Sequence, residues 1–345
     1  MHIEPNSTSP VRFVRRFDPT FCHGLEVMPY LYVFSGDCQT ASIISQDEAP
    51  RLLDLKLSQR RRKLPEFTWV GRNCDPYPIK ERYRRLTRRL IEVLAKHGYP
   101  LLIITRSPLI LRDIDLIREL NETSGVTVAI MVSSLKWKTH RSLESGTPLE
   151  AVQPLAGRRL KTLDRLRRSG IQTGIAFTTP VQDLEDARGE MKHLFRTAQK
   201  LNLDFVLFTE ASGLALPVQK PKPKVPDPLN HNKRQIQELI LELSHLYKIP
   251  LRMKRHFPQD WRRENYWLAS QIADRAYHQW LEGRAYHRHL RIAGRINRLD
   301  VDIRNVIRHG DLHSRLKTDA DLKPELEELI SGGWCSGERS GVRLR

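Results

Sequence analysis

Cysteine is scarce. The 345 residues carry four, Cys22, Cys38, Cys74 and Cys335, too few and too scattered for a disulfide framework. They read as reduced thiols unless a metal holds some of them. No stretch approaches the roughly 18 uncharged apolar residues of a membrane span. The start of the chain, MHIEPNSTSPVRFVRRF, has no apolar run behind its basic residues, so a signal peptide is not expected. A soluble, cytoplasmic protein without a membrane partner is the expectation. Acidic residues are also short, 40 Asp and Glu against 58 Lys and Arg, which leaves a net charge of +18. Such an excess favours a polyanionic partner, nucleic acid first, because exposed Arg and Lys neutralise phosphates and release counterions. The competing reading is a basic surface that serves solubility alone. Gly36 and Gly71 are isolated and form no phosphate-cradling loop.

What is present is alternation. From about residue 67 to 211, short β-prone apolar runs alternate with longer amphipathic stretches, the pattern of a parallel sheet covered by helices. Strands are predicted at Phe67 to Asn73, Pro100 to Arg106, Val126 to Ser134, Gln172 to Val181 and Phe205 to Ala211. Helices are predicted over about 79–98, 109–122, 155–169 and 184–201, where apolar residues recur at three- and four-residue spacing. In the first of these, Leu86, Leu90, Val93 and Leu94 mark the inward face, with Arg82, Arg85 and Arg89 on the solvated one. A helix at 47–60 and a first strand near Arg12 to Phe17 complete six βα units. That count suits an α/β fold of the partial (β/α)6 TIM-like kind rather than a closed eight-stranded barrel.

Residues 216–228, LPVQKPKPKVPDP, interleave proline with lysine and cannot form helix or central strand. The expected organisation is therefore a barrel over 1–215, a Pro/Lys-rich linker over 216–230 and a basic, mainly helical region over 231–345. In that last region Gln235 to Leu246 reads as helix, Leu251 to Phe257 as an extended segment, and 265–332 as a set of short helices.

In α/β barrels the reactive groups sit where parallel strands end. The strand-end residues here are Cys22-His23-Gly24, Cys74-Asp75-Pro76-Tyr77, Thr105-Arg106-Ser107, Ser133-Ser134, Thr178-Thr179-Pro180 and Thr209-Glu210. The run Gly71-Arg72-Asn73-Cys74-Asp75-Pro76-Tyr77, then Leu86-Thr87-Arg88, then Thr105-Arg106-Ser107 with Leu111-Arg112-Asp113-Ile114-Asp115-Leu116, resembles the spore photoproduct lyase-like branch of the radical S-adenosylmethionine (radical SAM) superfamily. That branch is similar in ending a strand with Thr-Asp-Pro-Tyr-Gln, opening a helix with Leu-Thr-Arg, and ending the next strand with Thr-Lys-Ser before Leu-Arg-Asp-x-Asp-Leu. Ser133-Ser134-Leu135, Leu143-Glu144, Arg159-Leu160 and Gly170-Ile171-Gln172-Thr173-Gly174 extend the resemblance in register from about residue 22 to 211.

The resemblance implies a radical SAM barrel, a 4Fe-4S cluster held by Cys-x-x-x-Cys-x-x-Cys, and S-adenosylmethionine on the fourth iron. Here the corresponding stretch, Cys22-His23-Gly24-Leu25-Glu26-Val27-Met28-Pro29, keeps only Cys22; Glu26 and Pro29 stand where thiolates belong. A proline has no ligating side-chain atom, and one hard carboxylate replaces a thiolate poorly. The motif is degenerate, and the usual reductive cleavage is expected to be absent. Cys22 is its remnant; Cys74, with Cys38 and His23, is the alternative metal donor, against which stands a spacing unlike any close-paired ligand set. By resemblance Asp75, Tyr77, Arg106 and Ser133 line the cofactor site. Arg106 replaces a lysine that would meet the S-adenosylmethionine carboxylate, and its fork suits a carboxylate or a phosphate. Asp75 has a second reading, that its carboxylate satisfies loop amides, and Ser133 a second one as a turn cap.

The C-terminal region interleaves aromatics with cations, as in Tyr266-Trp267, Arg275-Ala276-Tyr277-His278 and Arg284-Ala285-Tyr286-His287-Arg288-His289, followed by Arg291, Arg295 and Arg298. Cations meet phosphates and rings stack on bases, so Arg284, Arg288 and Arg291 are the candidate nucleic-acid contacts. The rival reading makes Ile272, Ala276, Leu290, Ile292 and Ile296 a core and the arginines a solvated face. His278, His287, His289 and His313 are expected at the surface. Two functions follow: a radical SAM-like protein without its cluster, associated with nucleic acid or DNA repair, or an active SAM-dependent radical or lyase enzyme with an atypical metal site. A third reading is a purely structural protein whose partner is an intact radical SAM paralogue or another protein.

Overall fold

A computed structural model describes residues 9–14, 24–34, 41–59, 67–71, 74–132, 135, 156–178, 184–209, 229–257, 260–317 and 323–334. The linker residues 216–228 and the sites Cys22, Cys38, Ser133 and Cys335 lie outside these. The chain divides into two compact units, one formed by residues 1–15 and 23–256, the other by residues 16–22 and 257–345.

The first unit is an α/β partial barrel. Strand β1 (Val11–Val14) pairs antiparallel with β2 (Gly24–Val27); β2 then opens a parallel series through β5 (Thr68–Val70), β6 (Leu101–Thr105), β7 (Val126–Val132), β8 (Gln172–Thr178) and β9 (Phe205–Thr209). Strands β3 (Tyr30–Phe34) and β4 (Ala41–Ser45) form a separate hairpin. Strands β6 and β7 are buried at every position, as central parallel strands covered on both faces must be. At β8 the chain uses Gly174 because a Cβ there would lie 2.3 Å from the Phe205 ring of β9.

Helices α1 (Ala49–Ser58), α2 (Glu81–Arg84), α3 (Leu86–His97), α4 (Ile114–Thr123), α5 (Ala156–Arg168), α6 (Leu184–Lys200) and α7 (Leu229–Tyr247) belong to this unit, with a 3-10 turn at Pro108–Asp113 before α4. Helix α7 was expected to open the C-terminal region. Instead Ile236, Leu239, Ile240 and Leu243 are buried, and Tyr247 stacks on Phe195 of α6 at 6.0 Å. The division between the compact units falls after His256.

Three further expectations need correcting. The strand near Arg12 to Phe17 is β1, which runs against the others; the first parallel strand is β2, whose ladder is completed where Gly71 N–H donates to the Val27 carbonyl. The helix expected over 79–98 breaks at Arg85, which adopts a left-handed φ of 50°. The break persists because the Glu81 carboxylate caps the new helix, accepting the amides of Leu86 and Thr87 at 2.9 and 3.2 Å. The inward face of α3 also includes Thr87 and Ile91, whereas Val93 is only partly buried.

The extended segment expected near 251–257 lies along the amino ends of the parallel strands. Val206 N–H donates to the Pro250 carbonyl at 2.9 Å, and the Gln172 carboxamide pairs with the Lys254 backbone at 3.0 and 3.1 Å. His256 ends this strap, its Nε2 3.3 Å from the Thr127 hydroxyl and its ring edge-on to Phe67. It sits over Gly125, where φ is +88° and a Cβ would lie 2.1 Å from the imidazole.

The second unit is helical: α8 (Arg262–Leu281), α9 (His287–Asn297), α10 (Ile303–Arg308), α11 (Leu312–Leu316) and α12 (Lys323–Trp334). Its core joins Leu268, Ile272, Ile292, Ile296, Ile303 and Leu316. The Asn265 side chain links α8 to the start of α10, donating to the Val301 carbonyl and accepting Ile303 N–H at 2.9 and 2.8 Å. Leu290 is only partly buried, while His289, expected at the surface, is buried in its place. The helix turns that residue inward beside Ile292 and Ala293.

Candidate functional site

Asp75 and Arg106 follow β5 and β6, at the end of the sheet where parallel strands deliver functional side chains. The Asp75 carboxylate is consumed locally. It accepts Tyr77 N–H at 2.9 Å and the Thr105 hydroxyl on Oδ1, and Arg106 N–H at 2.8 Å on Oδ2. These are the bonds of a loop organiser. It ties the two strand ends together and fixes where the Arg106 side chain begins.

Asp75, Tyr77 and Arg106 line one cavity of about 590 Å³. Its walls differ in kind. Pro78, Ile79, Pro108 and Leu109 supply apolar surface; Arg82, Arg158, Lys161 and Arg165 add positive charge to that of Arg106. The last three of these sit at i, i+3 and i+7 of α5, one face of that helix. Within the lining, Asp75 is the only acidic residue. The Tyr77 hydroxyl is buried towards Asp113 and Glu81. Burial first, then those two carboxylates, hold its pKa well above the ordinary phenol value.

Beside the cavity lies an ionic network that runs from the buried Glu81 and Asp113 out to the exposed Asp115. The Arg112 guanidinium donates to Glu81 at 2.8 Å and to Asp113 through two bonds of 2.8 Å. Arg88 reaches Asp113 at 3.3 Å and grips Asp115 through both nitrogens at 3.0 and 2.9 Å, which holds the Asp115 carboxyl down to about 2. Tyr30 donates its hydroxyl to Glu81; burial, then that carboxylate, pushes its pKa well above the ordinary value. Every cation here has a carboxylate partner, so the network organises the α2–α3 joint rather than offering a vacant charge.

Of the residues aligned with the cluster motif, Glu26 and Pro29 lie among the described residues and Cys22 does not. Glu26 lies within β2, in register with Arg12 on one side and Trp69 on the other. Cys74 follows β5, at the carboxyl end of the parallel strands. Pro29 and Tyr30 close the carboxyl end of β2, with Met28 and Tyr30 fully buried. Cys74 is buried against Tyr30 and Leu86, its thiol 3.6 Å from the Asp75 carbonyl. Among the described residues no group of three or more His, Cys, Asp or Glu side chains is placed to hold a metal ion. Glu26 and Pro29 supply no thiolate of the kind that a 4Fe-4S cluster takes.

In the helical unit, Arg284, Arg288 and Arg291 are all exposed. They surround the start of α9, where Tyr286 occupies the cap position without a side-chain capping bond and the first turn holds no acidic residue. Arg295 is spent on the carbonyls of Leu316 and Lys317. The α5 cations escaped notice in the sequence because they lie among other arginines; their i, i+3, i+7 spacing was the available signal.

No protein-family model matches the chain. An uncharacterized protein of Mycobacterium bovis and two of Mycobacterium tuberculosis are each 32% identical over 129 residues, 37% of this chain. The match spans 36% of the length of each of those relatives. Among solved structures the chain is similar to SuiB of Streptococcus suis, with a TM-score of 0.45 and 15% identity over 67% of this chain and 48% of that one. It is similar to anSMEcpe with bound AdoMet, at 0.42 and 11% over 63% and 57%. It is similar to spore photoproduct lyase complexed with dinucleoside spore photoproduct, at 0.41 and 12% over 61% and 67%. These three are radical SAM enzymes. No helix among the described residues is long and apolar enough to cross a membrane.

Proposed function

We propose that this chain is a nucleic-acid-binding protein, linked to DNA repair, built on a radical SAM-like partial barrel that has lost its iron-sulfur cluster. The observation that carries the binding function is the uncapped start of α9 ringed by Arg284, His287, Arg288 and Arg291. A helix N-terminus presents free N–H groups and the positive end of the dipole, so cations placed there repel it unless an anion arrives. Arg284, itself largely exposed, meets Glu282 at 3.2 Å, a pairing that solvent weakens. A phosphate backbone suits this cationic helix start, and the Tyr286 ring, 4.2 Å from that of His287, offers a stacking surface. Loss of the cluster is supported by Glu26 within a strand and by Pro29, which removes two of the three thiolate positions.

The test is fluorescence anisotropy with one labelled oligonucleotide across a salt series. Replacing Arg284, Arg288 and Arg291 together with alanine is expected to weaken binding about equally for different sequences. It should flatten the log–log salt slope by roughly one per lost contact, about three in all. An unchanged affinity and slope would reject this reading.

A further inference from the structure

Several cations of the first unit are matched to carboxylates. Those of the ionic network, Arg88 and Arg112, are matched to Asp113, Asp115 and Glu81. On α5, Arg167 and Arg168 share Asp164. The five that line the cavity, Arg82, Arg106, Arg158, Lys161 and Arg165, have no carboxylate partner among the described residues. The one carboxylate beside them, Asp75, already has three donors. Arg106 goes further: its Nε is buried and makes no hydrogen bond. A buried N–H without an acceptor is costly, and on a guanidinium it belongs to an edge that grips two oxygens of one oxyanion.

We infer that this cavity is a nucleotide-phosphate site, in which Arg106 holds a phosphate group, Arg158, Lys161 and Arg165 hold its neighbour, and the Pro78–Ile79 and Pro108–Leu109 walls receive the sugar and base. Its volume of about 590 Å³ is within the range of small-molecule sites. The charge decides against S-adenosylmethionine, whose sulfonium and ammonium outweigh its single carboxylate and meet a wall of their own sign. The phosphate can come from a free nucleotide or from the terminal nucleotide of a strand. The assignment is independent of the arginines around α9.

The experiment is calorimetric titration of the full chain with ADP, pyrophosphate, adenosine and S-adenosylmethionine, beside anisotropy on 5′-phosphorylated and 5′-hydroxyl oligonucleotides. ADP and pyrophosphate are expected to bind, with adenosine and S-adenosylmethionine at least ten-fold weaker than ADP. Arg106→Gln should cost ADP at least ten-fold, and Arg106→Lys, which keeps the charge without the fork, an intermediate amount. Lys161→Gln with Arg165→Gln should weaken pyrophosphate similarly. The triple alanine variant at Arg284, Arg288 and Arg291 should bind ADP as the parent does, which separates this site from the proposed nucleic-acid surface. If only the 5′-phosphorylated oligonucleotide responds to Arg106→Gln, the site stands and a strand end is the source. Equal binding of every probe by parent and Arg106→Gln, in protein with an undiminished melting temperature, would overturn the assignment. So would tighter binding of S-adenosylmethionine than of ADP.

Discussion

The Tyr30 hydroxyl donates to the Glu81 carboxylate across 51 positions of sequence, and both residues are fully buried. The bond joins the residue that closes the end of β2 to the residue that caps α3. Tyr30→Phe removes one donor from a carboxylate that still binds Arg112 and two backbone amides. The expected loss is about 1–3 kcal/mol, read as a lower urea midpoint with an unchanged slope. Glu81→Ala should cost more, because it removes one of the two carboxylates that hold Arg112 and uncaps α3 together. Equal stability of Tyr30→Phe and the parent would mean that the phenol is not tied to the carboxylate in solution.

His256 sets a pH limit on the barrel. Burial pushes its pKa down from 6.5 to about 4, so the folded protein keeps it neutral while the unfolded chain protonates it below 6.5. The unfolded state thus binds the extra proton, and stability falls as pH drops from about 6.5 towards 4, by about 3 kcal/mol in all. His256→Gln should be less stable than the parent at pH 7 and close most of that gap at pH 4. Denaturant titrations at several pH values would show it; a gap that widens in acid contradicts the assignment.

Arg106 should make the ligand-free protein less stable than it need be. Replacing it with Met removes the orphaned Nε–H and leaves the backbone bond from residue 106 to Asp75 intact. A gain of about 1 kcal/mol in the absence of ligand is expected, with loss of ADP binding. Thermal melts with and without ADP would separate the two effects, and a destabilised apo variant would count against the unpaired geometry.

Anaerobic reconstitution with iron and sulfide should leave the protein colourless. Glu26→Cys combined with Pro29→Cys should leave it colourless as well, because position 26 is bound into the β2 ladder between Arg12 and Trp69. Absorbance near 400 nm with about four irons per chain in the double variant would show that the segment leaves the strand to take up metal.

The strands from β5 onward were legible because each is a short apolar run buried on both faces, a pattern that needs no tertiary information. Strand β2 was not: Gly-Leu-Glu-Val has no period of its own, and its register is set by pairing with β5 more than forty residues later. The break at Arg85 was equally hidden, since an arginine at φ 50° follows from Glu81 caps rather than from local preference. Asp75, Tyr77 and Arg106 were found by their positions after strands. The α5 cations were visible as a spacing, but only the absence of partners distinguishes Arg158, Lys161 and Arg165 from Arg167 and Arg168.

The antiparallel strand β1 has a consequence for handling the protein. Through β1 the edge of β2 is already occupied, and at the far edge Val206 N–H is taken by the Pro250 carbonyl. Removing the first fifteen residues would bare the β2 backbone as a template for strands of other molecules. Such a truncation should yield self-association that grows with concentration, although it touches neither the cavity nor the arginines around α9.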